Sequence, residues 1–456
     1  MDFRKFHFIG IGGIGMSGIA RILLEQGYRV TGSDIAYGKR LKDLEGMGAF
    51  IRVGHSSINL DGAEVVVVSS AISINNPEVK SAIRRGIPIL HRSEMLSLLM
   101  SQKKGIAVAG THGKTTTTSL VSLVVENAGL DPTVVIGGEL QELQSNAKLG
   151  KGDILVAEAD ESDGSLVRLT PWIGIITNIE ADHMDYYADL AAIRKTFERF
   201  LAKIPADGTS ILCVDDPNVK MLSDQLSGNQ ITYGLNNGAR LKAVDIHFTE
   251  YGTSFTVTDR GLEIGRFSLR IPGLHNIYNA LAAIGVAMAL NIDFDIVRQT
   301  LREFKGAKRR FEVISSANGI TIVDDYAHHP TEIMATLSAA RKVHQRGRII
   351  SVFQPHRYTR TKYFFELYGQ SFFNSDQVVV TEIYPAGEKP IPAITGELVA
   401  RTLQKYGHTE VTYIPDVSEV TGFIRGIAMK DDLVITLGAG DVWKVAHELS
   451  VMEKSA

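Results

Sequence analysis

The segment that most constrains the fold runs from Gly105 to Val125. An apolar run, Gly105-Ile106-Ala107-Val108-Ala109, leads into Gly110-Thr111-His112-Gly113-Lys114-Thr115-Thr116, and an apolar stretch with helical spacing follows from Leu120. A buried strand, a glycine turn and a helix in that order call for an α/β layer built on a parallel sheet. Such a turn aims backbone N–H groups and a helix N-terminus at one point, which suits a phosphate. Lys114 adds a compact positive charge there, and the Thr115 hydroxyl can take a Mg²⁺ ion. One position departs from the strict phosphate-loop pattern: Val108 stands where a glycine is expected five residues before Gly113.

The chain has 456 residues, more than one ordinary core holds, so roughly two to four domains are expected. A net charge of −3 argues against nucleic-acid or anionic-membrane partners. Cys213 is the only cysteine, which excludes an intramolecular disulfide and a cysteine-based zinc cluster. It follows Ile211-Leu212 in a strand-like run and reads as a buried structural thiol. No apolar run approaches the roughly 18 residues that span a bilayer. Met1-Asp2-Phe3-Arg4-Lys5 leads straight into a strand, unlike a signal peptide, so a cytoplasmic location is expected, with no obligate protein partner evident.

The fold class expected is α/β in three domains. Residues 1–103 read as a Rossmann-like domain, with strands ending at Gly10, at Asp34 and at Val68, the last followed by Ser69-Ser70. Ser101-Gln102-Lys103-Lys104 makes a polar linker. Residues 104–307 read as a P-loop-type ATPase domain. Its strands Asp153 to Glu158 and Ile173 to Asn178 are followed by short β-rich runs at Ile211 to Asp215, Lys242 to Thr249, Ser254 to Thr258 and Ile264 to Arg270, read as a small antiparallel patch. Residues 308–456 read as a second Rossmann-like unit with strands at Ile320 to Asp325, Arg348 to Gln354, Val378 to Glu382 and Asp432 to Gly438.

A second phosphate cradle lies near the start of the chain. Gly10-x-Gly12-x-x-Gly15 matches the dinucleotide fingerprint, with Asp34 spaced to reach a ribose hydroxyl. Its glycines place any pyrophosphate on a helix N-terminus, so a nucleotide sugar fits as well as NAD. A dehydrogenase needs no Gly-Lys-Thr loop, and a small-molecule kinase needs no second fingerprint. An enzyme that uses ATP to join a nucleotide-borne substrate to something else needs both.

Carboxylates gather at strand ends, where open parallel sheets collect ligand groups. In Glu158-Ala159-Asp160-Glu161-Ser162-Asp163, Glu158 is nearest the strand and is the expected Mg²⁺ partner of Thr115. The next strand ends in Asn178-Ile179-Glu180-Ala181-Asp182-His183, where His183 can meet a second metal or a phosphate. Asn276 and Asn279 stand before an alanine-rich helical run, as helix caps or as partners for an adenine edge. Arg309-Arg310, Asp324-Asp325-Tyr326-Ala327-His328-His329-Pro330 and Gln354-Pro355-His356-Arg357-Tyr358-Thr359-Arg360 should converge on one rim, with arginines suited to clamp a carboxylate or phosphate. Zinc held by Asp324, Asp325, His328 and His329 is the rival reading, weakened because adjacent histidines point apart on most backbones.

The set GIGGIGMSG (Gly10–Gly18), GTHGKTTTT (Gly110–Thr118), EADESD (Glu158–Asp163), DHMDYY (Asp182–Tyr187), HNIYN (His275–Asn279), KRRF (Lys308–Phe311), DDYAHHP (Asp324–Pro330) and QPHRYTRT (Gln354–Thr361) resembles the Mur ligases of bacterial peptidoglycan synthesis, over essentially the whole chain. The family's own loop shares the Val108 departure. The resemblance implies an ATP-dependent ligase that joins L-alanine to the lactyl carboxylate of UDP-N-acetylmuramate through an acyl phosphate. GIGGIGMSG with QPHRYTRT favours that activity over the sibling that recycles a murein peptide onto the same sugar nucleotide. An NAD-dependent oxidoreductase built on the first fingerprint is the alternative from another class.

The resemblance assigns roles residue by residue. Gly110, Thr111, His112, Gly113, Lys114, Thr115 and Thr116 cradle ATP, with His275, Asn279, Arg310 and Asp325. Thr115, Glu158 and His183 hold Mg²⁺. Gly12, Gly13, Ile14, Gly15, Asp34, Ser69, Ser70, His91 and Arg92 take the sugar nucleotide. Tyr326, His328, His329, Arg357 and Arg360 serve the acyl phosphate and the amino acid. Lys114, Glu158, His183, His329 and Arg357 carry the chemistry. Several relatives place a carbamylated lysine near the second Mg²⁺; the sequence assigns no residue to that role and leaves it open.

Overall fold

The computed structural model describes residues 3–140, 145–236, 238–249, 252–317 and 319–453. Met1, Asp2 and residues 454–456 lie outside them, and so do the parts of the first and third expected domains that they form. The chain builds three sheets in succession. The first holds five parallel strands in the order Phe50–Val53, Arg29–Asp34, Lys5–Ile9, Val65–Val68, Ile89–His91. The interior strand Val65–Val68, beside the central one, is four valines, since stiff β-branched side chains suit a strand covered on both faces.

The central sheet has ten strands. Lys104–Ala109 lies inside it between Ile173–Ile176 and Ile154–Glu158, all parallel. The run at Ile211 corrects the sequence reading. Strand Thr209–Cys213 belongs to the parallel part, because the helix Leu190–Leu201 carries the chain back over the sheet before it. Only Leu241–Thr249, Gly252–Asp259 and Leu262–Leu269 make the antiparallel patch at that edge, and it continues the same sheet.

The third sheet runs Glu312–Ala317, Ile320–Asp325, Leu433–Leu437, Ile349–Phe353, Gln377–Val380, Val411–Tyr413. Its first strand is antiparallel to its neighbour and was not expected from sequence. Among the described residues no helix is long and apolar enough to cross a membrane.

Buried side chains of the first domain pack with one face of the central sheet in a single cluster. Met16, Ile19 and Ala20 join Val135, Ala147 and Leu155 there. Polar contacts seal the seam: Asn146 Nδ2 donates to the Ile14 carbonyl and to Ser17 Oγ, and Arg21 Nη1 to Ser145 Oγ (3.1 Å). The helices Lys114–Asn127 and Leu274–Ala289 cover the opposite face of the central sheet, and inward side chains of the antiparallel patch join the same cluster.

One buried carboxylate organises the first domain. Glu78 is fully buried and accepts from Ser33 Oγ (2.6 Å), Asn59 Nδ2 (2.5 Å) and Ser56 N (3.1 Å), with His7 Nε2 3.4 Å away. Burial disfavours its charge, but the bonds from His7, Ser33 and Asn59 outweigh it and pull the carboxyl down to about 2. A carboxyl lowered on folding stabilises the fold fully above its unfolded pKa, and that stability is lost as pH falls from about 4.5 towards 2. Glu78→Gln is expected to cost about 3 kcal/mol at pH 7, measured by urea denaturation. The gap to wild type should close near pH 2.5; a gap independent of pH would count against the charge.

Candidate active site

The phosphate loop takes its shape from two glycines in left-handed backbone, Gly110 at φ +136° and Gly113 at φ +81°. A Cβ on Gly113 would stand 2.6 Å from Asn279 Oδ1, so the loop lies tight against the helix Leu274–Ala289. Neither Asn276 nor Asn279 caps that helix. It starts after Gly273, and both amides lie inside it, Asn279 accepting from Thr117 Oγ1 (3.0 Å). The helix Lys114–Asn127 has no side-chain cap, as expected where the first N–H groups serve a ligand.

Lys114 is tethered at its tip. Nζ donates to the carbonyls of Gly110 (2.6 Å) and Thr111 (3.1 Å) and to Glu161 Oε1 (2.8 Å). Burial opposes its charge, but Glu161, Asp160 and Glu158 outweigh burial and hold its pKa above the ordinary value. Burial also pushes the Glu161 carboxyl up to about 7, against the pull of Lys114. Glu161 Oε2 is buried without a partner, and its Oε1 lies 3.8 Å from His183 Nε2.

Thr115 Oγ1 donates to Glu158 Oε2 (3.0 Å), and Gly137 N donates to the same oxygen (3.0 Å). A Cβ on Gly137 would stand 2.7 to 2.9 Å from the Glu158 carboxylate, so this glycine keeps the space beside it open. A hydroxyl and a carboxylate at the rim of a phosphate loop are hard oxygen donors that fit Mg²⁺. His183, in left-handed backbone at φ +54°, donates from its backbone N–H to Asp182 Oδ1 (2.7 Å). The acid-rich run is thus no free loop. Glu158 meets Thr115, Asp160 meets Arg92 (2.6 Å), Glu161 meets Lys114, and Asp163 accepts from Ser70 Oγ.

Asp160 and Asp163 bring the first domain's candidates to the seam with the central domain. His91 Nε2 lies 3.0 Å from Ser70 Oγ and 3.5 Å from Asp163 Oδ2. Gly12 N donates to Asp34 Oδ2 (2.8 Å), and a Cβ on Gly15 would stand 3.1 Å from Arg92 Nη1. Gly13 N closes a turn onto the Gly10 carbonyl (3.2 Å), Ser69 O accepts from Ile72 N (3.0 Å), and Ile14 is exposed. The helix Ile14–Glu25, like the one after the phosphate loop, has no side-chain cap.

A cavity of ≈ 280 Å³ opens between the central and third domains. Thr116, His275 and Asn279 line it from one side, Arg310, Asp325 and Glu332 from the other. Burial drives the His275 pKa down to about 4, so this ring is neutral at pH 7. Burial pushes the Asp325 carboxyl up to about 6, although it accepts from Phe311 N and Ala327 N.

The remaining third-domain candidates lie beside His183. Arg360 donates from Nη2 to both Asp182 oxygens (3.1 and 3.2 Å), and this pair is buried across the domain boundary. Arg357 Nη1 lies 3.7 Å from Asp185 Oδ2, and its Nε is buried without a partner. Tyr326 is flanked by the guanidiniums of Arg309 and Arg310. His328 Nδ1 faces the Tyr326 carbonyl (2.9 Å), and His329 Nδ1 accepts from Thr331 N (3.3 Å) as a helix cap.

The rival zinc set does not form. Asp324 is taken by Arg309 Nε (2.8 Å) and Thr436 Oγ1 (2.6 Å), and Asp325 by two backbone N–H groups. Four acids in these contacts escaped sequence reasoning as individual site residues: Glu161, Glu180, Asp182 and Glu332. The first three stand in strand-end motifs, which is signal enough to include them. Glu332 is the third residue of a helix capped by histidine, a start that the usual Ser/Thr/Asp/Asn signature misses.

Three family models match in chain order: the Mur ligase family catalytic domain over residues 5–104, the Mur ligase middle domain over 108–287 and the Mur ligase glutamate ligase domain over 309–440. The chain belongs to the Mur ligase family. Its similar relatives include UDP-N-acetylmuramate–L-alanine ligases from Syntrophotalea carbinolica and Geotalea uraniireducens. The first is 50% identical over 98% of this chain and 97% of the relative, the second 48% over the same shares. Among solved structures, the UDP-N-acetylmuramate–alanine ligase of Thermotoga maritima superposes with a TM-score of 0.84 at 30% identity, covering 99% of both chains. A murein peptide ligase from Psychrobacter arcticus shares the fold, with a TM-score of 0.72 at 24% identity.

Proposed function

We propose that this chain is an ATP-dependent ligase that joins L-alanine to the lactyl carboxylate of UDP-N-acetylmuramate, in peptidoglycan precursor synthesis. The observation that carries the reading is the pairing of two uncapped helix N-termini, after Gly13 and after Gly113, across one seam bridged by Arg92–Asp160 and Ser70–Asp163. One end receives the pyrophosphate of the sugar nucleotide, the other the phosphates of ATP. Similarity to L-alanine ligases over nearly the full chain supports this activity over the recycling ligase and over an NAD-dependent oxidoreductase.

In this reading residues 1–103 hold UDP, 104–307 hold ATP, and 308–456 close over both. A lactyl carboxylate oxygen attacks the γ-phosphorus and ADP leaves. The alanine amine then attacks the acyl carbon, phosphate leaves, and an amide remains. Lys114 exchanges its Glu161 contact for the β- and γ-phosphates. Thr115 and Glu158 hold Mg²⁺, and His183 helps hold a second ion; Mg²⁺ supplies neutralisation of the charge on the transferring group. The loop Gly110–Thr116 cradles the phosphates, with the His112 ring turned away from them towards Glu180 and Glu332, while His275, Asn279, Arg310 and Asp325 enclose the nucleoside. Gly12–Gly15, Asp34, Ser69, Ser70, His91 and Arg92 take the sugar nucleotide. Arg357, whose Nε is unpartnered, and Arg360, Tyr326, His328 and His329 face the acyl phosphate and the amino acid. Closure excludes the water that would hydrolyse the acyl phosphate.

The test is phosphate release with ATP, Mg²⁺ and UDP-N-acetylmuramate against a panel of amino acids. L-alanine should give the highest kcat/KM. Glycine and L-serine, each differing by one small group, should fall roughly 10- to 200-fold below it. Release with a murein tripeptide but not with L-alanine would reverse the choice between siblings.

A further inference from the structure

The third domain reaches the phosphate loop at the His112 side chain. Its backbone is fixed to the central sheet: N donates to Asn178 Oδ1 (2.8 Å), and O accepts from Thr177 Oγ1 (2.6 Å) and Asn178 Nδ2 (3.1 Å). Its ring leaves the loop and stands between two carboxylates. Nε2 lies 3.4 Å from Oε2 of Glu180, which follows a central strand. Nδ1 lies 3.3 Å from Oε1 of Glu332, in the first turn of the third-domain helix Pro330–Val343. The same turn adds two more contacts. Thr331 Oγ1 donates to Glu180 Oε2 (2.7 Å), and the His329 ring packs on His112 with centroids 4.7 Å apart.

We propose that His112 is a positioning residue: held between Glu180 and Glu332, it staples the helix Pro330–Val343 to the phosphate loop and so sets the third domain over the ATP site. It is not itself a phosphate ligand. Burial disfavours charge on the ring, but Glu180 and Glu332 outweigh it and raise its pKa to about 9. At neutral pH both ring nitrogens therefore carry protons, and the ring faces both carboxylates as a cation, although Nε2 makes no aligned hydrogen bond. Arg310 and His328 also face Glu332, at 3.6 and 3.3 Å, so its position depends on the residues around the nucleotide cavity. His112, Glu180 and His329 are close enough for a metal ion, with ligand atoms within 4.8 Å of one another. A doubly protonated His112 offers no lone pair, however, and the His329 Nδ1 lone pair faces Thr331 N, which leaves that ring only its buried Nε2.

The inference rests on the ATP reading above, and the test separates the two. Small-angle scattering and ATP titration are applied to the full chain, as wild type, His112→Asn and Glu332→Gln. The radius of gyration without nucleotide should rise in both variants. ATP affinity should stay within about threefold of wild type, while kcat falls tenfold or more. The double variant should lose less than the product of the two single losses, because one contact serves both residues. If ATP affinity falls in step with kcat, His112 is a nucleotide ligand and the staple is wrong. Wild-type scattering and kcat in both variants would also overturn it, as would a stoichiometric Zn²⁺ complex that His112→Asn abolishes. A wild-type chain that binds no ATP would instead sink the ligase reading. Should His112→Asn fail to fold, Glu332→Gln alone carries the same expectations.

Discussion

Lys114→Ala is expected to lower phosphate release that depends on UDP-N-acetylmuramate and L-alanine by about 10³-fold or more. Phosphoryl transfer gives the protein little covalent work; it depends on positioning and on neutralising charge over the transferring oxygens. Lys114 is a largely buried cation of the phosphate loop, and its pKa is held up by three acids, so it is charged at neutral pH. Its ammonium already lies within 3.1 Å of two loop carbonyls, and exchanging one carboxylate contact for phosphate needs only a small shift. Its removal also leaves Glu161, Asp160 and Glu158 without their shared counter-ion beside an incoming polyanion. ATP affinity should therefore fall as well, which titration calorimetry reads separately. Turnover within tenfold of wild type would remove Lys114 from the mechanism.

The second large effect is expected from Gly110→Ala. Gly110 sits at φ +136°, where an L side chain is strained. A Cβ there would overlap the Thr177 hydroxyl and stand 3.1 Å from Thr177 N and 3.2 Å from Asn178 N. Those atoms are not free to yield, since Thr177 Oγ1 and Asn178 Nδ2 both hold the His112 carbonyl. Strain and overlap together should cost about 3 kcal/mol or more of stability and open the loop, weakening ATP by about 100-fold. Gly129→Ala is the control: its φ is +75°, but nothing lies within 4 Å of a Cβ, so the loss should stay near 1 to 2 kcal/mol. Melting curves and ATP titration on both variants decide the matter. Equal losses would mean that backbone strain alone, not the fit against Thr177, shapes the loop.

The α/β class and three successive sheets were legible because the buried strands are unbroken apolar runs closed by glycine or polar residues. Short or edge strands were not. Phe50–Val53, Ile89–His91, Glu312–Ala317 and Val411–Tyr413 each end a sheet, where half-exposed residues interrupt the apolar run that marks an interior strand. The run at Ile211 was misplaced because direction within a sheet depends on the connecting helix, which local composition does not encode. At the site, glycine loops and strand-end acids stood out in the sequence. The partners of those acids did not: Asp160 with Arg92 is a pairing across 68 positions, and Asp182 with Arg360 across 178. Only the fold brings such residues together, and no spacing rule reaches that far.

The seam between the first two sheets has a consequence for how the molecule can be dissected. Met16, Ile19 and Ala20 of the first domain share one buried cluster with Val135, Ala147 and Leu155 of the second, and Asn146 reaches across to hold Ile14 and Ser17. The polar turn at Ser101–Lys103 therefore divides the chain in sequence but not in energy. Cutting there would bare an oily face on both fragments. Mechanically the first two domains make one bed under both proposed nucleotide cradles, and the third domain, with buried clusters of its own, is a separate piece set against it.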